Sequence, residues 1–167
     1  FRRVLFRSQD LENISCEIIT LEFDDEFNEP IEKYPEWITG IKFGLKFNQR
    51  TDNLPKSIQT LKFGHNFNKP VKQLPELLKE ITFGNNFTKT VNNLPCNLTH
   101  LTFGSNFNRQ INNLPNSLTH LTLGDYFSQP LDNLPNSLTH LTLGNKFNNP
   151  VDNLPKSNVD PSGIAQT

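Results

Sequence analysis

The chain has 167 residues, 34% of them apolar and 20% charged, with a formal net charge of −1 and 23 asparagines. A charge this close to neutral gives no global field towards nucleic acid or a membrane surface. No run approaches the roughly 18 apolar residues of a spanning helix, and no basic-then-apolar start resembles a signal peptide.

Two cysteines are too few for a disulfide framework or a four-ligand zinc site. So polar a chain is a candidate for disorder unless a repeat organises it. Phe1–Ser8 stands outside any repeat, because Arg3 and Arg7 occupy phases that phenylalanine fills later. The chain contains no Met. Phe-Arg-Arg-Val-Leu-Phe-Arg-Ser also resembles the in-frame translation of a common sequencing-library adapter. Residues 1–8 are therefore expected to be an adapter artefact on a metagenomic fragment of a larger gene, or a disordered tail, with no part in function.

From residue 9 to 157 the chain repeats with a period of 20. Phe27, Phe47, Phe67, Phe87, Phe107, Phe127 and Phe147 share one phase, and Pro35, Pro55, Pro75, Pro95, Pro115, Pro135 and Pro155 another. Gly44, Gly64, Gly84, Gly104, Gly124 and Gly144 hold a third, which Asp24 begins. In Leu98-Thr99-His100-Leu101-Thr102-Phe103 the apolar residues 101 and 103 alternate with polar 100 and 102, the period of a short strand. The glycine that follows is expected to turn the chain through positive φ. Pro115 and its equivalents suit an extended return segment. No inter-strand stretch has room for a helix of ten residues or more.

Leu101, Phe103, Phe107, Ile111, Leu114 and Leu118 are the expected inward positions of one unit. A single coil cannot bury them, but stacked coils with parallel strands about 4.8 Å apart can. The expected fold is a repeat solenoid: a leucine-rich-repeat-like parallel β-solenoid of about seven 20-residue coils, with little or no regular α-helix. The apolar phase fails at Asn158, so residues 158–167 read as a C-terminal tail without a sealing cap. End-to-end self-association or fraying is expected of such a fragment.

The motif Phe-Asn-x-Pro-Ile/Leu/Val occurs at Phe27-Asn28-Glu29-Pro30-Ile31, Phe67-Asn68-Lys69-Pro70-Val71 and Phe147-Asn148-Asn149-Pro150-Val151. Leu-Pro-Asn-Ser-Leu-Thr-His-Leu-Thr-Leu stands at 114–123 and again at 134–143. These residues resemble the FNIP repeat, a leucine-rich-repeat-like family abundant in social amoebae and in giant viruses that infect amoebae. Some members carry an F-box that recruits a ubiquitin ligase while the repeats bind its substrate. The resemblance therefore implies an alternative role as the substrate-recognition part of such a receptor, although this chain shows no F-box-like segment.

Charge is zoned along the axis. Residues 9–40 hold ten acidic residues and one basic, residues 41–110 ten basic and three acidic, and residues 111–167 two basic and four acidic. The solenoid should be acidic at its N-terminal end and basic in its middle. Lys69, Lys89 and Arg109 form one basic ladder that reads as a solvated face.

On the strands, Lys42, Lys62, Thr82, Thr102, Thr122 and Thr142 share one outer phase, and His100, His120 and His140 another. These nine residues are the candidate partner-binding positions, because side chains vary there while the turns repeat. The three histidines also admit a pH-sensing or metal-binding reading. Imidazoles standing parallel on a sheet converge poorly on one ion, however, and no metal or other cofactor is expected. Asn28, Asn48, Asn68, Asn108 and Asn148, and the second column Asn53, Asn93, Asn113, Asn133 and Asn153, read as turn ladders that satisfy backbone groups. The sequons at Asn13, Asn86 and Asn97 fall in repeat positions and read as incidental.

Cys16 and Cys96 share a phase four coils apart, about 19 Å at 4.8 Å per rung, which excludes a disulfide between them. Free thiols and the missing signal peptide suit the cytoplasm. No nucleophile, phosphate-loop or paired-carboxylate motif appears, so no enzyme is expected. The expected function is a non-catalytic scaffold that binds a protein on its strand face. Neither a membrane nor nucleic acid is the expected partner.

Overall fold

The computed structural model describes residues 5–6 and 20–150. Eight short strands form one parallel sheet in chain order: β1 (Leu5–Phe6), β2 (Thr20–Phe23), β3 (Gly40–Lys42), β4 (Thr60–Lys62), β5 (Glu80–Thr82), β6 (His100–Thr102), β7 (His120–Leu123) and β8 (His140–Leu143). From β2 onward each strand pairs in register with the residue 20 positions away, as in Leu61 with Ile81 and Leu101 with Leu121. Among the described residues there is no helix. The period of 20 is thus the length of one complete winding.

β1 departs from that period. It pairs Leu5 with Glu22 and Phe6 with Phe23, a separation of 17 residues. A phase argument placed Arg3 opposite Phe23, whereas the backbone puts Phe6 there. The remainder of residues 1–8, and the tail over 158–167, lie outside the described residues.

Two tight turns close each coil. In the first, the Phe N–H of Gly-x-x-Phe donates back to the carbonyl three residues earlier, as Phe107 to Gly104 at 3.3 Å and Phe127 to Gly124 at 3.1 Å. In the second, Leu118 donates to the Pro115 carbonyl at 3.0 Å and Leu138 to Pro135 at 3.0 Å. Proline therefore opens a turn here and spares the coil one N–H that would want a partner.

Inside, phenylalanines run in two columns along the axis. Phe23, Phe43, Phe63, Phe83 and Phe103 stack at centroid distances of 5.3 to 5.6 Å. Phe27, Phe47, Phe67, Phe87, Phe107, Phe127 and Phe147 stack at 6.0 to 6.2 Å. Rings of the same coil pack face to face across the columns, Phe103 on Phe107 at 3.7 Å. Each ring covers its neighbours in both directions, so burial is collective. Leu101, Phe103, Phe107 and Leu118 are buried, whereas Ile111 and Leu114 on the return segment are only partly covered. Four of the six expected inward positions are thus core and two form its rim.

The glycine column owes its existence to something other than φ. No described glycine has positive φ; among the described non-glycine residues Asn113 does, at 66°. A Cβ on Gly64 would lie 2.0 Å from the Gly44 carbonyl oxygen, and one on Gly84 would lie 2.0 Å from the Gly64 oxygen. The turns of successive coils touch backbone to backbone, which leaves no volume for a methyl group. The expected left-handed turn is corrected to a close approach between coils.

Asparagine side chains bind the turns to each other. Asn28 Oδ1 accepts the Asn48 N–H at 2.8 Å, Asn48 the Asn68 N–H at 2.9 Å, and Asn68 the Thr88 N–H at 3.1 Å. Asn108 accepts from Ser128 at 3.0 Å. From the second column, Asn53 donates to the carbonyls of Ile31 and Glu32. The high asparagine content is a backbone-satisfying device, because an amide oxygen accepts an N–H that the turn leaves without a partner.

Candidate interaction face

The outer side of the sheet carries the nine candidate residues in two rows. Pairing aligns Lys42, Lys62, Thr82, Thr102, Thr122 and Thr142 along one row. Glu80, His100, His120 and His140 align along the other. Alternation on a strand places both rows outside because Leu61, Ile81, Leu101, Leu121 and Leu141 between them point into the core. At the N-terminal end, Lys42 lies 3.5 Å from Glu22 and pairs with it.

The imidazoles form a stack of their own. His100 and His120 have centroids 4.1 Å apart at 13°, and His120 and His140 are 4.1 Å apart at 7°. Each Nδ1 lies 2.9 Å from the hydroxyl of the preceding threonine: Thr99, Thr119 and Thr139. Each of those hydroxyls also lies 3.1 Å from a carbonyl of the coil before: Lys79, Thr99 and Thr119.

A threonine hydroxyl has one proton, which goes either to the carbonyl or, since that carbonyl already accepts two backbone N–H groups, to Nδ1. In the first case the hydroxyl accepts from Nδ1–H; in the second it donates to a bare Nδ1. Either way the threonine engages Nδ1, and Nε2 is the ring nitrogen left to a ligand. Thr99, Thr119 and Thr139 hold the imidazoles against the frame, and a reading of strand alternation passed them over. Their signal was present in the sequence as Thr immediately before His in three successive units.

Burial of the middle ring lowers the His120 pKa below the ordinary value of 6.5, and its two imidazole neighbours lower it further. Parallel rings do not converge on an ion, and among the described residues no three His, Cys, Asp or Glu side chains are grouped as metal ligands.

Beside the threonine row runs an open groove of about 490 Å³ spanning four coils. It is lined by Thr82, Thr102, Thr122 and Thr142 and by Asn85, Ser105 and Asp125, with Phe83, Phe103, Leu123, Leu143 and the glycines Gly84, Gly104, Gly124 and Gly144 between them along the chain. The glycines that let the coils approach thus also line this groove. Ser105 donates to Asp125 at 3.3 Å.

Other candidates lie elsewhere. Arg109 folds back to donate to the Thr88 carbonyl at 2.9 Å, so its ladder with Lys69 and Lys89 includes a structural member. Cys96 is an exposed free thiol, and Cys16 lies outside the described residues. Among the described residues no helix is long and apolar enough to cross a membrane.

The FNIP Repeat family model matches residues 47–86, 90–126, 110–146 and 127–158, well over half of the chain. The chain belongs to the FNIP-repeat family. No curated protein matches it. Among solved structures it is similar to CroV588, a circular leucine-rich-repeat protein of a giant virus, with 46% identity and a TM-score of 0.76. That match covers 81% of this chain and 22% of CroV588, so this FNIP chain spans about a fifth of the length of its structural relative.

Proposed function

We propose that the chain is a non-catalytic protein-interaction scaffold whose partner docks on the outer rows Lys42, Lys62, Thr82, Thr102, Thr122, Thr142 and His100, His120, His140. One observation carries this reading: the strands present different side chains at two fixed phases on a frame whose turns, glycines and core columns repeat. Coil-to-coil hydrogen bonds hold that frame before any partner arrives, which lowers the ordering cost of association. The similarity to a leucine-rich-repeat protein supports the same use of the strand face. CroV588 is described as circular, and a share of 22% of that chain is what an arc of such a ring would occupy. The exposed free thiol of Cys96 suits a reducing compartment, which makes the cytoplasm the favoured setting.

A photo-crosslinking side chain placed at Thr122 tests this directly, with the same probe at exposed Asp132 on the return segment as the comparison. In extract of the source cells at neutral pH, the probe at position 122 should give a discrete adduct that Lys62→Glu together with Thr102→Arg removes. Equal adducts from both positions, or none from position 122, contradict the reading.

A further inference from the structure

We propose that acidification turns the imidazole row of β6, β7 and β8 into a docking stripe for an acidic polypeptide segment. This deepens the strand-face reading above and rests on it. The geometry supplies the mechanism. Because Thr99, Thr119 and Thr139 each engage Nδ1, a protonated ring keeps one N–H on its threonine and presents the other from Nε2. The rings need not move, since the threonine hydroxyl accepts from Nδ1–H in that state. The row then offers Nε2–H donors on positively charged rings, one per coil at about 4.8 Å.

The charges around the row give the imidazoles control of its sign. Glu80 of β5 is aligned directly with His100, and Lys62 of β4 stands one coil further back. Lys42 of β3 is paired with Glu22 of β2. Lys79 stands next to Glu80 in sequence, and Asp125 lines the groove beside the threonine row. The fixed charges nearly cancel, so each imidazole that takes up a proton adds a net positive charge to the row. The neighbouring Thr102, Thr122 and Thr142 offer hydroxyls to the same ligand oxygens.

An acidic polypeptide fits better than a nucleic acid. Glu80 at one end of the row and Asp125 in the groove repel a continuous polyanion, whereas spaced carboxylates can sit on the imidazolium row alone. The phenylalanines that could stack on bases are in the core. His120, whose pKa is lowered by burial and by its two neighbours, takes up its proton below the ordinary histidine value.

The test uses a fluorescein-labelled decapeptide of alternating Glu and Ser, read by anisotropy against the full chain at about pH 5.5 and about pH 7.5, either side of the ordinary histidine value. Affinity should rise about tenfold or more in acid and be lost at high salt. His100→Asn/His120→Asn/His140→Asn should bind equally weakly at both pH values with an unchanged far-UV spectrum. Should the triple variant not fold, His100→Gln together with His140→Gln should cost about threefold or more of the acid gain. Affinity that is unaffected by pH, or an acid gain that survives in these variants, overturns the proposal. So does tighter acid binding of a labelled oligouridylate of equal charge. If the peptide fails while the neutral-pH adduct at position 122 persists, only this inference falls; if the adduct is absent as well, the strand-face reading falls with it.

Discussion

Replacing Gly84 by alanine tests the backbone contact between coils. The added Cβ would lie 2.0 Å from the Gly64 oxygen and 2.5 Å from its carbon, where ordinary contact begins at 3.4 Å. The two coils must therefore separate by more than 1 Å at this point. The nearest inter-coil bonds, Phe63 N–H to Thr82 at 2.9 Å and Asn86 N–H to His65 at 3.0 Å, do not survive that separation.

Two lost backbone bonds, with buried groups left without partners, amount to about 3–5 kcal/mol. Gly40→Ala is the control. Its Cβ would meet the Thr20 and Thr60 hydroxyls at 2.6 and 2.7 Å and the Thr20 methyl at 3.1 Å, all side-chain atoms, whereas Gly84 meets backbone. It should cost clearly less than Gly84→Ala, about 1–2 kcal/mol. Urea denaturation followed by far-UV circular dichroism and by the single tryptophan, Trp37, measures both. Gly84→Asn separates the two explanations of the glycine, since asparagine tolerates positive φ but not a collision. Asparagine at 84 as benign as glycine, or Gly84→Ala as mild as Gly40→Ala, would refute the contact.

Tyr34 occupies the leucine phase of its coil, and its buried hydroxyl has no hydrogen-bond partner, while burial pushes its pKa up. Tyr34→Phe should therefore raise stability by about 1 kcal/mol in the same denaturation experiment. Asn68→Ala removes the acceptor of both the Thr88 N–H and its hydroxyl. It should cost about 1–2 kcal/mol and speed amide exchange at Thr88. For His120 the folded pKa is lowered, so the unfolded chain takes up its proton first as pH falls. Stability should be level above about pH 6.5 and decline below it, by less in His100→Asn/His140→Asn, as thermal melts across pH would record.

Much of this architecture can be read from residues alone, because a 20-residue spacing of phenylalanine, proline and glycine has no other compact solution. Alternation around Leu101 puts His100 and Thr102 outside and Phe103 inside, and the pairing follows. What escaped the sequence depends on distances between coils. Gly64 and Gly84 look like turn glycines until the neighbouring carbonyl is placed 2.0 Å from their absent methyl groups. Thr99, Thr119 and Thr139 look like neutral surface threonines until their hydroxyls are seen between a carbonyl and an imidazole. Phe6 opposite Phe23 breaks the 20-residue phase, so no periodic reading could align it. The orphan hydroxyl of Tyr34 likewise appears only when its surroundings are filled.

Imidazole nitrogen spectroscopy tests the arrangement directly, because each ring meets a threonine that also touches the coil behind it. In neutral solution, long-range proton–nitrogen correlation of His100, His120 and His140 should show an Nδ1 resonance that moves in the adjacent ring when Thr99, Thr119 or Thr139 is replaced by valine. Ring nitrogens that ignore those substitutions would mean that successive coils do not hold their outer rows in place.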